Sequence, residues 1–199
     1  MCIRDRIRID GLIHRMGEIT KQLKSFARKN TESFVPLNFN DAILEAMSIM
    51  EPQLKQSRIK LDTNIPSEPV LIVGDQQRLE QVIINLIRNA IDALDDTEFP
   101  SITISLYKNN SVRFSIRDNG KGINDLETLF EPFQTSKDPG KGLGLGLAIS
   151  SNIISELGGS LSGKNLTTTG AEFTIKLPLF DPSRVNVVEE NQTKMRETL

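Results

Sequence analysis

The spacing of apolar residues divides the chain into a helical entry segment, a central domain and a polar tail. Over residues 1–30, apolar side chains recur three and four residues apart, a spacing typical of a coiled-coil seam. The positions are Ile9, Leu12, Met16, Ile19, Leu23 and Phe26. This pattern predicts a long helix whose apolar stripe is covered by another helix, in a bundle or a dimer. No capping signal precedes it, so we expect the helix to continue from a larger protein.

Residues 31–180 alternate between helical and strand-like periodicity, which indicates one α/β domain. Residues 31–38 are interpreted as a polar connection. Three helices are predicted, over 40–56 with Asn40 as cap, over 76–94 with Asp75 as cap, and over 143–157. Strands are predicted over 70–73, 102–106, 112–116, 160–162 and 172–177. Because these strands pair mainly as hairpins, the predicted fold is a two-layer α/β sandwich with a mixed sheet packed on helices.

Two stretches of the chain have weaker patterns. The long connection over residues 123–141 is expected to contain a short helical piece followed by a functional lid, since compact domains rarely contain such long connections. In its middle, Phe130 and Phe133 flank a proline and are interpreted as an apolar anchor. Residues 181–199 lack periodicity and are predicted to form a polar tail.

Composition and charge exclude several classes of protein. A hydrophobic content of 38% and a charged content of 25% fit a soluble globular chain. The formal net charge of -2 provides no basic field, so we expect no nucleic-acid partner. The sequence has no apolar run near the ~20 residues that cross a bilayer, so no membrane segment is predicted in this chain. Cys2 is the only cysteine, which rules out an intrachain disulfide.

The second predicted helix has a polar face beside its apolar one. Gln81, Asn85, Asn89 and Asp92 follow one another at spacings of four, four and three, so they share this face. Asparagine is mildly unfavourable inside a helix, and two on one face suggest a use. Amide oxygens are hard ligands that suit Mg²⁺ and add no charge beside a triphosphate. The alternative is that these side chains are ordinary solvated amides.

An Asp-Asn-Gly-Lys-Gly run follows the strand predicted over residues 112–116. At this strand end, the carboxylate of Asp118 can accept a hydrogen bond from the exocyclic amine of adenine, whereas guanine presents an oxygen there. Gly120 and Gly122 let the backbone approach a flat base. The alternative is a plain hairpin turn.

A glycine-rich run, Gly140 to Leu147, leads directly into the third predicted helix. Alternating glycines let the backbone bend around phosphate, and the N–H groups at the following helix N-terminus face the anion. Lys137 and Lys141 can add cationic contacts. The run ends without Gly-Lys-Ser/Thr and its glycines are spaced by two, so it is neither a P-loop nor a dinucleotide fingerprint. The alternative is a flexible loop.

In this order, the motifs resemble the catalytic and ATP-binding domain of bacterial sensor histidine kinases, whose superfamily includes gyrase, MutL-type ATPases and a heat-shock chaperone. The run 85–93 is similar to the N-box, 118–122 to the first glycine box, 130–133 to the F-box, 142–147 to the second glycine box and 170–173 to the last one. The helix over 15–28 and the lid run Thr135-Ser136-Lys137 are similar to the C4-dicarboxylate and nitrogen-regulatory branch.

The resemblance implies the Bergerat ATP-binding fold and a role for each matched residue. Asn89 would coordinate Mg²⁺ with Asn85 beside it, and Asp118 would bind the adenine amine of ATP. Gly120 and Gly122 would border the base. The residues implied at the phosphates are Gly142, Leu143, Gly144, Leu145 and Gly146, with Arg88, Lys137 and Lys141 as further cationic candidates.

The resemblance also implies a reaction and partners. The γ-phosphoryl group of ATP would pass to a histidine and then to an aspartate of a response regulator. His14 is the single histidine of the sequence and is not in the H-E-x-x-x-P-like phosphoacceptor motif, so no catalytic residue is assigned. Residues 1–30 would be the second helix of a dimerisation and phosphotransfer hairpin. The full-length protein would be a homodimer in the bacterial inner membrane, with this chain in its cytoplasmic part.

Two other functions remain open at this stage. One is a serine-directed kinase of the same superfamily, against which the coiled-coil entry helix argues. The other is a non-catalytic module that uses the fold for dimerisation or partner binding, against which the complete set of asparagine and aspartate positions argues. Measured nucleotide binding separates the second alternative from the kinase.

Overall fold

The computed structural model describes residues 35–134 and 143–181. The predicted entry helix over residues 1–30 and the polar tail beyond residue 181 lie outside the described residues. Within the described ranges the helices are α1 Phe39–Gln56, α2 Gln76–Ala93 and α3 Gly146–Glu156. The strands are β1 Val35–Asn38, β2 Lys60–Asn64, β3 Leu71–Gly74, β4 Ser101–Lys108, β5 Val112–Asp118, β6 Ser160–Asn165 and β7 Ala171–Leu177.

Five strands form a mixed sheet in the order β2-β4-β5-β7-β6, and helices pack on one of its faces. Strand β2 is parallel to β4, while the other neighbours are antiparallel. Strands β1 and β3 form a separate antiparallel pair. The predicted α/β sandwich with a mixed sheet is therefore confirmed. The helices form a second layer packed on the sheet, as expected for a two-layer fold.

The core lies between the helices and the alternating apolar side chains of β4 and β5. Ile104, Phe114 and Ile116 are fully buried, and the ring of Phe114 lies 5.5 Å from that of Phe39 at the start of α1. The apolar face of α2 packs on the same core, as its periodicity predicted. Its buried residues are Leu79, Val82, Ile83, Leu86, Ile87 and Ala90. The core therefore fixes the orientation of α2, and with it the polar face that this helix carries.

Several predicted boundaries are wrong. Helix α1 is capped by Asn38, whose side chain accepts a hydrogen bond from the Asn40 backbone N–H, so Asn40 is not the cap. Asn40 is instead buried, and its amide donates to the carbonyls of Pro66 and Glu68 at 2.8 and 3.1 Å. Helix α3 starts at Gly146 rather than at residue 143.

The sequence also gave no indication of two strands. Residues 35–38, interpreted as a connection, form β1 because they pair with β3. Strand β2 has a polar, mostly exposed sequence without alternation, so only its parallel pairing with β4 identifies it. The short helical piece expected within residues 123–141 is not found in the described part of that stretch, which forms turns and bends as far as residue 134.

Candidate nucleotide-binding site

Asp118 is the last residue of β5 and is only 3% exposed. Its Oδ1 atom accepts hydrogen bonds from the backbone N–H of Gly120 at 2.9 Å and of Ala171 at 3.3 Å. Burial raises the pKa of the Asp118 carboxyl above its ordinary value, and hydrogen bonds from the backbone N–H groups of Gly120, Ala171 and Asp118 itself oppose this effect. The bonds from Gly120 and Ala171 both end on Oδ1 rather than on Oδ2. A buried carboxylate held in this way can accept a hydrogen bond from a donor group of a ligand.

The C-terminal end of α2 contacts the loop that follows Asp118. The backbone N–H of Lys121 donates to the carbonyl of Ala93, the last residue of α2, at 3.1 Å. A Cβ atom at Gly120 would overlap the same carbonyl oxygen, so a side chain there would push the loop off the helix. The loop that follows Asp118 is thus packed against the C-terminal end of α2, the helix that carries Asn85 and Asn89.

Two turns earlier on the same helix, Asn85 contacts the start of α3. Its amide nitrogen donates to the hydroxyl of Ser150 at 3.0 Å. Its amide oxygen lies so close to Gly146 that a Cβ atom at position 146 would overlap it. Glycine is therefore required at this helix start because the Asn85 side chain occupies the space of a side chain.

Asn89 lies on α2 between these two contacts, one helical turn from Asn85 and one from Ala93. At a rise of about 1.5 Å per residue, each step spans about 6 Å along the helix axis. The polar face of α2 thus connects the Asp118 loop with the glycine-rich run over a distance of the order of a nucleotide. Asn85 and Asn89 are half-buried here, whereas Arg88 is exposed.

The start of α3 offers backbone N–H groups to an anion. Leu145 is the N-cap residue and makes no side-chain capping bond. The first N–H groups of a helix have no partner within the helix, which makes them donors for phosphate. Leu145 is 5% exposed and anchors this start in the core, while Leu143 is 36% exposed. The carbonyl of Gly144 accepts a bond from the Phe133 N–H at 3.1 Å, which links the glycine-rich run to the F-box segment.

The donor set fits a magnesium ion bound together with phosphates, rather than an independent metal centre. Among residues 35–134 and 143–181, no group of three or more His, Cys, Asp or Glu side chains could hold a metal ion. Amide oxygens such as that of Asn85, beside the helix start at Gly146, are suitable hard ligands when phosphate oxygens complete the shell. Three predicted phosphate residues, Lys137, Lys141 and Gly142, lie outside the described residues.

Sequence reasoning missed two residues that hold the backbone around this site. The side chain of Asn119 holds the loop before β4, accepting from the Ser101 N–H and donating to the Phe99 carbonyl, both at 2.8 Å. Asn165 makes a similar pair of bonds to the backbone of Ile123. Their partners are 18 to 42 residues away in the sequence, so no local pattern could have revealed them.

In the part of the chain that the structure describes, no helix is both long enough and apolar enough to cross a membrane.

Comparisons with known proteins place the chain in a family. Residues 74–181 match the profile of the histidine kinase-, DNA gyrase B- and HSP90-like ATPases. The nucleotide-free catalytic domain of histidine kinase ThkA is 32% identical, with a TM-score of 0.65 over 74% of this chain and 96% of that domain. The structure of ThkA in complex with response regulator protein TrrA has a TM-score of 0.70 and 27% identity, over 86% of this chain and 49% of that one.

Curated relatives are longer proteins. The chain is 34% identical to the two-component sensor PprA of Pseudomonas aeruginosa over 88% of its length, and covers 20% of that protein. It is 35% identical to the C4-dicarboxylate transport sensor protein DctB of Rhizobium meliloti over 85% of its length, and covers 27% of that protein. The family profile spans more than half of the 199 residues. The chain therefore belongs to the histidine kinase-, DNA gyrase B- and HSP90-like ATPase family.

Proposed function

We propose that the chain is the ATP-binding catalytic part of a two-component sensor histidine kinase, which transfers the γ-phosphoryl group of ATP to a histidine for relay to a response-regulator aspartate. One observation carries this proposal. Helix α2 contacts the Asp118 loop at Ala93 and the start of α3 at Asn85, so a single rigid element sets the distance between a base reader and a phosphate-binding helix end.

At the base end, Oδ2 of Asp118 accepts a hydrogen bond from the exocyclic amine of adenine. The N–H groups of Gly120 and Ala171 hold the other carboxylate oxygen, so the side chain cannot turn away. A guanine base would present an oxygen to this carboxylate, and a buried polar reader rejects such a partner strongly. Gly120 and Gly122 border the base.

At the other end, backbone N–H groups from Gly144 to Gly146, with Leu145 between them, face the phosphates. The glycine-rich run and the residues just before it also contain Gly142, Leu143, Lys137 and Lys141. Arg88 is a further cation on α2. Asn89, with Asn85 beside it, would hold Mg²⁺ through amide oxygens. The bound ion would supply positive charge beside the phosphates during phosphoryl transfer. The protein's own contribution is to position the nucleotide and exclude water from it.

The wider assembly is also part of the proposal. Residues 1–30 form the second helix of the dimerisation and phosphotransfer hairpin, residues 31–180 form the ATP-binding domain, and residues 181–199 form a tail. The full-length protein is a membrane-anchored homodimer whose cytoplasmic part binds the cognate response regulator. Similarity to the two-component sensor PprA and to ThkA in complex with response regulator protein TrrA supports the response-regulator part of this proposal.

Calorimetric titration with Mg²⁺ and a non-hydrolysable ATP analogue tests the proposal. We expect saturable binding by the wild-type chain, loss of binding in the Asp118→Asn variant, and no comparable binding of a GTP analogue. The Asn89→Ala variant should bind the ATP analogue much more weakly when Mg²⁺ is present. Its affinity should then be the same in Mg²⁺ as in EDTA. A folded wild-type chain that binds no adenine nucleotide would favour the non-catalytic alternative.

A further inference from the structure

We infer that Asn165, the last residue of β6, is a positioning residue for nucleotide binding because it holds the backbone of Gly122 and Ile123 in place. This inference rests on the proposed ATP site and adds to it a residue outside the nucleotide-contacting motifs. Strand β6 is an edge strand of the sheet, so its outer side is free to receive the segment that leaves the Asp118 loop.

The side chain of Asn165 binds both backbone groups of a single residue. The Ile123 N–H donates to Oδ1 of Asn165 at 2.7 Å, and Nδ2 of Asn165 donates to the Ile123 carbonyl at 2.9 Å. An amide that satisfies a donor and an acceptor of one residue replaces the hydrogen bonds of a neighbouring strand. It therefore fixes the position and the orientation of this peptide segment together.

The two hydrogen bonds between Asn165 and Ile123 form what we call the Asn165 clamp. This clamp is linked to Asp118 through the neighbouring strand β7. Asn165 is paired in register with Ala171 on β7. Ala171 is the residue whose N–H donates to Asp118 at 3.3 Å. The end of the β6–β7 hairpin thus contacts the Asp118 loop at two places. Ala171 on β7 binds the Asp118 carboxylate, and Asn165 on β6 binds the backbone of Ile123. The position of Gly122 relative to Asp118 is set by this pair of contacts.

The contact with Gly122 is close enough to exclude a side chain. Gly122 has a φ of +77°, and a Cβ atom there would lie 2.8 Å from Oδ1 of Asn165. Apolar contacts support the same segment on β6. A Cβ atom at Gly163 would lie 3.2 Å from Ile123 and 2.6 Å from Leu129, so the absence of a side chain at position 163 makes room for both. The apolar contacts hold the segment on the strand, while Asn165 sets its register.

This arrangement predicts that loss of the Asn165 side chain affects the ligand more than the fold. Asn165 is exposed, so its hydrogen bonds compete with water and contribute little to folding. Without them, the Gly122–Ile123 backbone samples other conformations that must be given up when the base binds. The effect should be equal for nucleotides that differ only in their phosphates, because the start of α3 is untouched.

The experiment compares Asn165→Ala with Asn64→Ala by titration with ADP and with a non-hydrolysable ATP analogue. Asn64 is a matched control, since its exposed side chain also makes a hydrogen bond, to the Tyr107 hydroxyl at 3.0 Å. We expect about tenfold weaker binding of both nucleotides by Asn165→Ala, with an unchanged ratio between them and an unchanged denaturation midpoint without ligand. Asn165→Asp, which keeps the acceptor but loses the donor, should show a loss as well. Asn64→Ala should bind like the wild type.

Two results would overturn the inference: wild-type affinity in Asn165→Ala, or a lower midpoint with unchanged affinity, which would make the residue purely structural. A failure of the proposed function gives a different result, because the wild-type chain itself would then bind no nucleotide. In that case hydrogen exchange of the Ile123 amide still tests the clamp. Exchange must be faster in Asn165→Ala than in the wild type, and equal rates would refute the clamp.

Discussion

Two buried carboxylates lie at the same end of the sheet on opposite faces, and their surroundings differ. Asp118 ends β5 on the face that carries the helices, where backbone N–H groups hold it. Glu172 is paired in register with Arg117, the residue before Asp118, and therefore lies on the other face. It is bound by two cations, Arg117 and Lys164, each at 2.7 Å.

These surroundings shift the two pKa values in opposite directions. Burial raises the pKa of Asp118, and hydrogen bonds from backbone N–H groups only partly oppose it. Burial would also raise the pKa of Glu172, but Lys164 and Arg117 outweigh it, so the pKa of Glu172 is lowered. The ionised Asp118 carboxylate thus retains a cost of burial that the cations offset at Glu172. A carboxylate that is to accept a hydrogen bond from a ligand must not already be paired with a cation of the protein.

The largest expected effect comes from Asp118→Asn. The amide oxygen can keep the bonds from Gly120 and Ala171, but in the proposed site the amide nitrogen would face the adenine amine, so that two donors meet. We expect at least about a 100-fold loss of affinity for adenine nucleotides. The free energy of unfolding at neutral pH should stay equal or rise, because a buried charge is removed. Calorimetric titration and chemical denaturation measure the two effects separately.

The pH dependence gives the sign of this stability difference. With a raised pKa in the folded state, Asp118 destabilises the fold when ionised. This cost decreases as the pH falls below the folded pKa and is gone below the ordinary value of 3.8. Any stability advantage of Asp118→Asn should therefore shrink toward acid pH. Asp62→Asn, at an exposed carboxylate paired with Lys60, is the matched control and should change neither property by much. A large loss of stability in Asp118→Asn would contradict the comparison.

An intermediate effect is expected at the other end of α2, where close packing rather than charge sets the geometry. Gly146→Ala places a methyl group where the Asn85 amide oxygen lies, and we expect a cost of about 1–3 kcal/mol in stability. Affinity for the ATP analogue should fall about tenfold or more through displacement of the helix start.

The double variant Asn85→Ala with Gly146→Ala tests the cause of that loss. Since the smaller residue at position 85 makes room for the added methyl group, the stability costs of the two substitutions should be less than additive. Denaturation of the two single variants and the double variant completes the cycle. If the stability costs of the two substitutions simply add, the destabilisation by Gly146→Ala does not come from a clash with Asn85.

The smallest effect is expected for Glu172→Gln, which removes the ion pairs but keeps the shape of the side chain. We expect a loss of about 1 kcal/mol in unfolding free energy at neutral pH, because both cations are more than half exposed. Glu172 has a lowered pKa in the folded state, so its stabilisation is present above the ordinary value of 4.5 and is lost as the pH falls below it.

Denaturation at a series of pH values measures this effect. The stability difference between wild type and Glu172→Gln should be constant above pH 4.5 and should diminish below it, while nucleotide affinity at neutral pH stays within about twofold. If Glu172→Gln weakened nucleotide binding as strongly as Asp118→Asn, the division between a ligand face and a structural face would be wrong.

The sequence by itself determined the elements with strong local signals. The cap at Asp75 and the apolar face of α2 are as predicted, and so is the β4–β5 hairpin. Local periodicity is sufficient there because each residue's burial repeats with the period of its own element. The fold class and the family also followed from short motifs in a fixed order.

The tertiary structure alone decided the contacts that turn those motifs into one site. Strands β1 and β2 exist because of partners distant in the sequence, and the same is true of the Asn119 and Asn165 clamps. An exposed asparagine has no local property that distinguishes one bound to a remote backbone group from one in water. Only the folded structure brings Ile123 beside Asn165 and Gly146 beside Asn85, because packing of the core sets the positions of α2 and β6 that carry the two asparagines.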